Sequence, residues 1–181
     1  MRHGYDFIRF EDFSYDKSIA ASWNKVRFCQ TQLDVADWVF WTDADSVVMN
    51  PETRLEDIIR FAADDQFMIV CRDVFDINMG QFLFRNCLKG REFLDRLWKE
   101  RFHYPSPNWE QDATRALCDT NSSYWAGMKI LPQHVMNSYD YETLGHRYPS
   151  FCEGDFIFHF AGMGNQMKLE KTRNSLAKIG F

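Results

Sequence analysis

The sequence predicts one α/β layered domain, and three observations predict it. Short, continuous apolar runs of β-favouring residues alternate with longer amphipathic segments. Gly, Pro and Asn punctuate the joins between them. The chain has 181 residues and is 45% hydrophobic, enough apolar surface to bury a core and too much for disorder. The net charge of −5 excludes general nucleic-acid binding, which needs a basic face. No run of about 18 apolar residues exists, so no membrane-spanning helix is expected. The first six residues lack the apolar run of a signal peptide. The five cysteines form no CxxC pair, which argues against a structural zinc site, and each reads as a small buried hydrophobe.

The elements follow in order. Residues 19–33 read as a helix, with Trp23, Val26, Gln30 and Leu33 at three-to-four spacing. Trp38-Val39-Phe40-Trp41 reads as a strand buried on both faces. Asn50-Pro51 breaks the chain. Residues 52–63 form a helix with Leu55, Ile58, Ile59 and Ala62 on one face. Residues 67–71 are a second buried strand, and residues 81–85 a third, entered through Gly80. Residues 91–102 are an amphipathic helix with Phe93, Leu94, Leu97 and Trp98 inward, stopped by Tyr104-Pro105-Ser106-Pro107. Asn108 is placed to cap a helix that runs to Leu117. Strands are expected at 128–131 and 155–160. After Gly162 and Gly164 a basic helix runs to the C-terminus.

One segment carries chemistry. The apolar strand runs straight into Asp43-Ala44-Asp45. In open α/β sheets, ligands gather beyond the carboxyl ends of strands. Two carboxylates placed there repel each other unless a charge neutralises them, and a divalent cation does so economically. Such a cation can also stabilise a departing diphosphate. The triplet alone reads equally well as a turn or a helix cap. Two enzyme classes place it after an apolar strand. One is the haloacid-dehalogenase-like phosphatases, whose pattern Asp43-Ala44-Asp45-Ser46-Val47 fits. That class also needs an acidic pair after a later strand, whereas Asp64-Asp65 precedes one. The other is the metal-dependent nucleotide-sugar glycosyltransferases.

Six segments bear on the choice. Trp38 to Pro51 resembles the metal motif of glycosyltransferase family 34, which includes fungal Golgi galactosyl- and mannosyltransferases and plant xyloglucan xylosyltransferases. Trp23-Asn24-Lys25 resembles the family's W-x-K. Asn78-Met79-Gly80-Gln81-Phe82-Leu83-Phe84-Arg85-Asn86 resembles its N-x-G-x-F-L-x-R-N strand, and Phe93 to Trp98 the helix after it. Glu110-Gln111-Asp112-Ala113 matches E-Q-D-A, and Gly154 to Gly162 matches G-D-F-I-x-H-F-A-G. The matches run in family order from about residue 3 to residue 168.

The resemblance implies a GT-A (Rossmann-like) nucleotide-diphospho-sugar transferase fold, a central mixed sheet flanked by helices. It implies retaining, Mn²⁺-dependent transfer of a hexose or pentose from a UDP- or GDP-sugar to a glycan acceptor. Asp43, Asp45 and His159 would be the metal ligands. Imidazole favours Mn²⁺, with Mg²⁺ the second choice. Read without the resemblance, His159 between phenylalanines is a core histidine. Lys25 and Lys168 would contact the donor diphosphate; their alternatives are surface lysines on helices. Asn78, Gly80 and Gly162 would shape the donor site, although Asn78 also reads as a turn residue. Gln111 or Asp112 would lie nearest the reacting carbon, stabilising oxocarbenium-like charge. The alternative for Asp112 is an ordinary acid at a helix start. Trp109 and Tyr139 are candidate platforms for acceptor sugars.

By the resemblance, the sequence starts after the family's first β-α-β segment, so an N-terminally shortened fold is expected, with an uncovered sheet edge that favours pairing with itself or a partner. A Golgi membrane or lumenal location follows from the family, and a cytoplasmic one if the chain is complete as given. A non-catalytic remnant or subunit of a glycosyltransferase complex is the second hypothesis, a D-x-D phosphatase the third.

Overall fold

A computed structural model describes residues 3–9, 18–74, 76–104, 108–145 and 149–180. Two small sheets meet where the first apolar strand ends. The larger sheet has four strands in the order β1-β4-β3-β5: β1 (Trp38–Thr42), β3 (Met68–Asp73), β4 (Asp76–Arg85) and β5 (Met128–Leu131). Strands β1 and β3 both pair antiparallel with β4, while β5 runs parallel to β3, so the sheet is mixed. The smaller sheet has the order β2-β7-β6: β2 (Ser46–Val48), β6 (Ser138–Tyr139) and β7 (Ile157–His159).

Alternation along β3 and β4 builds two cores, because successive side chains point to opposite faces. Met68, Val70, Phe82 and Phe84 face one way, into a cluster with Trp23, Val26, Cys29 and Leu33. Those four belong to or flank α1 (Asn24–Gln32). The same cluster takes Phe93, Leu94 and Leu97 from α3 (Leu88–Lys99), and Ala113, Leu117 and Cys118 from α4 (Trp109–Thr120). Ile69, Cys71 and Leu83 face the other way, against Ile58 of α2 (Leu55–Ile59) and Ile157 of β7. Val47, Phe160 and Met163 form a third cluster under α6 (Asn165–Lys178). No described helix is long and apolar enough to cross a membrane.

Several expectations change. Strand β1 is not buried on both faces: it lies at the edge of its sheet with β4 as its one neighbour, and Val39 alone is fully buried. The helix expected at 52–63 shrinks to α2, because beyond Ile59 the chain closes with i→i+3 bonds (Phe61 N–H to Ile58, Ala62 N–H to Ile59). Strand β4 begins at Asp76, so Gly80 is inside it and does not lead into it. The strand expected at 155–160 is the three-residue β7. Pro105 to Pro107, expected to stop α3, lie outside the described residues. The patterning signals missed β2, β6 and α5 (Ser122–Ala126), each five residues or fewer, too short to show a period.

Candidate functional site

The large sheet ends and the small sheet begins within four residues. Strand β1 stops at Thr42, and the Asp43 N–H donates to the Gly80 carbonyl at 2.8 Å, extending the β1–β4 ladder by one bond. The chain then turns through Ala44 and Asp45 into β2. The Asp45 carbonyl accepts the Phe160 N–H at 2.9 Å, which ties the turn to the end of β7. Ser46 pairs with His159 across the β2–β7 ladder. The two carboxylates and the imidazole, 114 residues apart in sequence, are thereby brought together. One ligand atom from each of Asp43, Asp45 and His159 lies within 4.8 Å of the others.

Each acid has its own cation. Lys25, on α1, is buried, and its ammonium lies 2.9 Å from Asp43 Oδ1, 2.9 Å from Glu110 Oε1 and 3.1 Å from the Met79 carbonyl. An ammonium has three donors, and these three acceptors use them all. Burial alone would lower the Lys25 ammonium; Glu110 and Asp43 outweigh it and hold it above the ordinary lysine range. The Trp41 indole N–H also donates to Asp43 Oδ1, at 2.6 Å. Lys168, in the first turns of α6, places its ammonium 2.6 Å from Asp45 Oδ2. Burial alone would raise the Asp45 carboxyl, but the His159 hydrogen bond and Lys168 hold it well below the usual carboxylate range.

His159 is nearly fully buried. Its Nε2 is 3.3 Å from Asp45 Oδ1, a contact that a proton or a cation on Nε2 makes favourable. Its Nδ1 is 2.8 Å from Asn137 Oδ1. Gly80 lies against the ring: a Cβ there would sit 2.4 Å from His159 Cε1. Glycine inside a strand often marks such a close approach. The donor set, two carboxylates and an imidazole, suits a borderline divalent cation. Asp43, Asp45 and Glu110 against Lys25 and Lys168 leave one carboxylate in excess, which also fits a cation.

The other predicted residues divide. Asn78 Oδ1 accepts the Gly80 N–H at 2.8 Å, and its Nδ2 donates to Asp73 Oδ2 at 3.1 Å, so it braces β4 from within. Gln111 and Asp112 stand at the start of α4 as expected. Gln111 Oε1 accepts the Met79 N–H at 3.1 Å, so it reaches the strand that carries Gly80. Asp112 faces Arg115, 3.9 Å away, and Arg115 lies 3.5 Å from Asp76. Gly162 takes φ +77° in the turn from β7 to α6, the left-handed region that glycine enters freely, and so helps aim α6 and Lys168. Lys25 is no surface lysine. It stands behind Asp43, with its donors taken. Tyr139 is no open platform either: it is buried, its ring edge packs on His159 at 5.3 Å, and its hydroxyl lies 3.4 Å from Asp73. Trp109 is partly exposed beside Glu110. Asp64 and Asp65 lie in the turn ahead of β3, the amino end of that strand, so the acidic pair of a phosphatase is not formed there.

Three residues escaped sequence reasoning. Glu110 had a signal, since it heads the same four-residue motif as Gln111. Trp41 had one too, as the last bulky residue before the acid pair. Asn137 had none: a single Asn ahead of a two-residue strand carries no pattern.

Comparison with known proteins identifies the family and the fold. The model of the galactosyl transferase GMA12/MNN10 family matches residues 1–62 and 60–170. The chain is 25% identical over 200 residues to an alpha-1,2-galactosyltransferase of Schizosaccharomyces pombe (strain 972 / ATCC 24843), covering 89% of this chain and 52% of that protein. It is 22% identical over 205 residues to the probable alpha-1,6-mannosyltransferase MNN10 of Saccharomyces cerevisiae (strain ATCC 204508 / S288c), with the same coverage. The chain thus spans about half the length of the curated relatives it matches. Among solved structures it resembles a glycosyltransferase involved in the glycosylation of the major capsid of PBCV-1, with a TM-score of 0.71 at 14% identity over 91% of this chain and 81% of that one. It also resembles the apo-form glycosyltransferase GlyE of Streptococcus pneumoniae TIGR4, with a TM-score of 0.58 at 19% identity over 87% of this chain and 44% of that one. The fold is therefore the α/β GT-A fold of those glycosyltransferases.

Proposed function

The chain belongs to the galactosyl transferase GMA12/MNN10 family, and on that premise we propose that it moves a hexose or pentose from a UDP- or GDP-sugar to a glycan acceptor, with retention. The observation that carries the reading is the convergence of Asp43, Asp45 and His159 within 4.8 Å where β1 ends. These three would hold a divalent cation, Mn²⁺ before Mg²⁺ because one ligand is an imidazole. Such a cation neutralises charge on a departing nucleoside diphosphate.

The chain's own residues do the rest. Lys168 sits close to the amino end of α6, where free backbone N–H groups add positive potential. A diphosphate arriving there would meet the Lys168 ammonium, held 2.6 Å from Asp45 Oδ2. Lys25 neutralises Asp43 from behind, so its contribution to donor binding is made through the acid. Gln111 is braced on the Met79 N–H, and Asp112 is its neighbour; either presents an oxygen to positive charge developing on the reacting carbon. Asn78, Gly80 and Gly162 set the walls of the donor site. Trp109 is the remaining aromatic candidate for an acceptor sugar. By family, the reaction belongs to Golgi glycan assembly, with self-association or a partner subunit at a sheet edge.

Calorimetric titration with UDP and GDP, with and without Mn²⁺, tests the proposal. The expected result is Mn²⁺-dependent binding of one nucleotide, abolished by Asp45→Ala. Folded protein that binds neither nucleotide overturns the catalytic reading and leaves a non-catalytic subunit of a glycosyltransferase complex.

A further inference from the structure

Asn137 is fully buried, yet it is an amide. Its Nδ2 makes no close hydrogen bond among the described residues, although the side chain also faces the Tyr139 hydroxyl. A leucine there would be bulkier and would leave the His159 ring nitrogen without its partner. What places the amide is its hydrogen bond to the imidazole. That bond joins Oδ1 to His159 Nδ1 at 2.8 Å.

The strands explain how Asn137 reaches the ring. Strand β6 runs parallel to β7 with Tyr139 opposite His159. Side chains two residues apart share a face, so Asn137 stands on the face of Tyr139, next to the imidazole. The ring is then enclosed on three sides. Tyr139 meets it edge-on at 5.3 Å, Gly80 lets the β4 backbone lie against it, and Asn137 caps one nitrogen. An amide oxygen only accepts, so Nδ1 carries the proton. With the ring plane fixed, Nε2 faces Asp45.

We propose that Asn137 is the positioning residue of the cation site: its carboxamide oxygen accepts a hydrogen bond from the Nδ1–H of His159 and so presents the Nε2 lone pair to a metal shared with Asp43 and Asp45. A hydrogen bond of this kind from the distal nitrogen of a ligating histidine fixes its tautomer and raises its basicity, and its loss typically weakens metal affinity 10–100-fold. The inference rests on the metal-site reading above, and its test separates the two.

The test uses Mn²⁺ alone, with its affinity read from the electron paramagnetic resonance of the free ion. Asn137→Leu should weaken Mn²⁺ binding by about 10–100-fold and lower the melting temperature, because the buried Nδ1–H of His159 loses its acceptor. Asn137→Asp keeps an acceptor at the same place and should restore most of the Mn²⁺ affinity that Asn137→Leu loses. A second readout is the ¹⁵N spectrum of histidine-labelled parent chain with Mg²⁺, in which His159 should be the tautomer protonated on Nδ1. This readout decides the matter if Asn137→Leu fails to fold. Parent-like Mn²⁺ affinity in folded Asn137→Leu overturns the inference, as does an Nε2–H tautomer with Mg²⁺ bound. Neither touches the metal-site reading, provided Asp45→Ala abolishes binding. A parent chain that binds no Mn²⁺ overturns both.

Discussion

Two glycines in or beside the four-stranded sheet each let an aromatic ring lie on the backbone. At Gly127, which precedes β5, an added Cβ would fall 2.3 Å from Phe67 Cε1. At Gly80, within β4, it would fall 2.4 Å from His159 Cε1. The contacts are geometrically alike and do different work. Phe67 belongs to a dry aromatic cluster, where its ring lies 5.2 Å from Phe93 and 5.7 Å from Phe84. His159 belongs to a charged seam, with Asp45, Asn137 and Tyr139 around it. The large sheet turns apolar residues to both faces and serves as scaffold. In the small sheet His159 shares its face with Ile157 and Tyr139, so the ligand stands at the margin of an apolar face. The same period-2 geometry yields a core in one place and a site in the other, according to which residues occupy it.

The largest expected effect comes from the strut behind Asp43, where Lys25 of α1 meets Glu110 of α4. Lys25→Met leaves the buried carboxylate of Glu110 and the half-buried one of Asp43 without their cation. Removing one partner of a buried pair costs about 3–5 kcal/mol, to be read from urea unfolding. The second variant Lys25→Met/Glu110→Gln should recover a large part of that loss. The sign with pH follows from the raised Lys25 ammonium. A group raised on folding contributes fully below its ordinary value and loses the contribution only as pH climbs through the higher folded one. The cost of Lys25→Met should therefore be level through neutral pH and shrink only in the alkaline range above about 10.4. A cost that shrinks already between pH 6 and 8 would mean that Lys25 is not the strut described.

The paired glycines test the comparison directly. Overpacking a well-filled site costs about 1–3 kcal/mol, so Gly127→Ala should lower the unfolding midpoint and leave Mn²⁺ affinity unchanged. Gly80→Ala should act where its neighbour acts: displacing the His159 ring weakens Mn²⁺ binding by about 10-fold or more, in the manner of a lost supporting contact. Equal losses of metal affinity in both variants would break the distinction between scaffold and site.

This division also explains what the sequence disclosed. Strands β3 and β4 were legible because they are apolar on both faces, and α3 because Phe93, Leu94 and Leu97 fall on one stripe. Asp43 and Asp45 were legible because an apolar strand delivers them. His159 needed family resemblance, since a histidine among phenylalanines has no signature of its own. Asn137, β2 and β6 were not legible. Strands of two or three residues have no period to detect, and pairing 113 residues apart, as between Ser46 and His159, leaves no local trace. Lys25 was seen, but its depth was not: helical spacing places a residue on a face without showing what covers that face.

The smallest effect separates dry from wet regions by chemistry alone. Cys29 and Cys118 lie in the cluster under α1 and α4, and Cys71 on the opposite face of the same sheet. Burial pushes all three thiols up to about 12. Cys152, in the loop leading to β7, is exposed. Only thiolate attacks a disulfide reagent, and a thiol titrating near 12 is about one part in 10⁴ ionised at pH 8. An aromatic disulfide added at pH 8 should thus label Cys152 promptly and half-buried Cys87 more slowly. Cys29, Cys71 and Cys118 should react only after unfolding in urea. Because all three sit on the four-stranded sheet or the helices that cover it, their release reports on the scaffold. If Lys25→Met exposes Cys29, one turn along α1, while Cys71 stays protected, the strut stabilises the helix face alone. If both are released together, the strut holds the whole sheet.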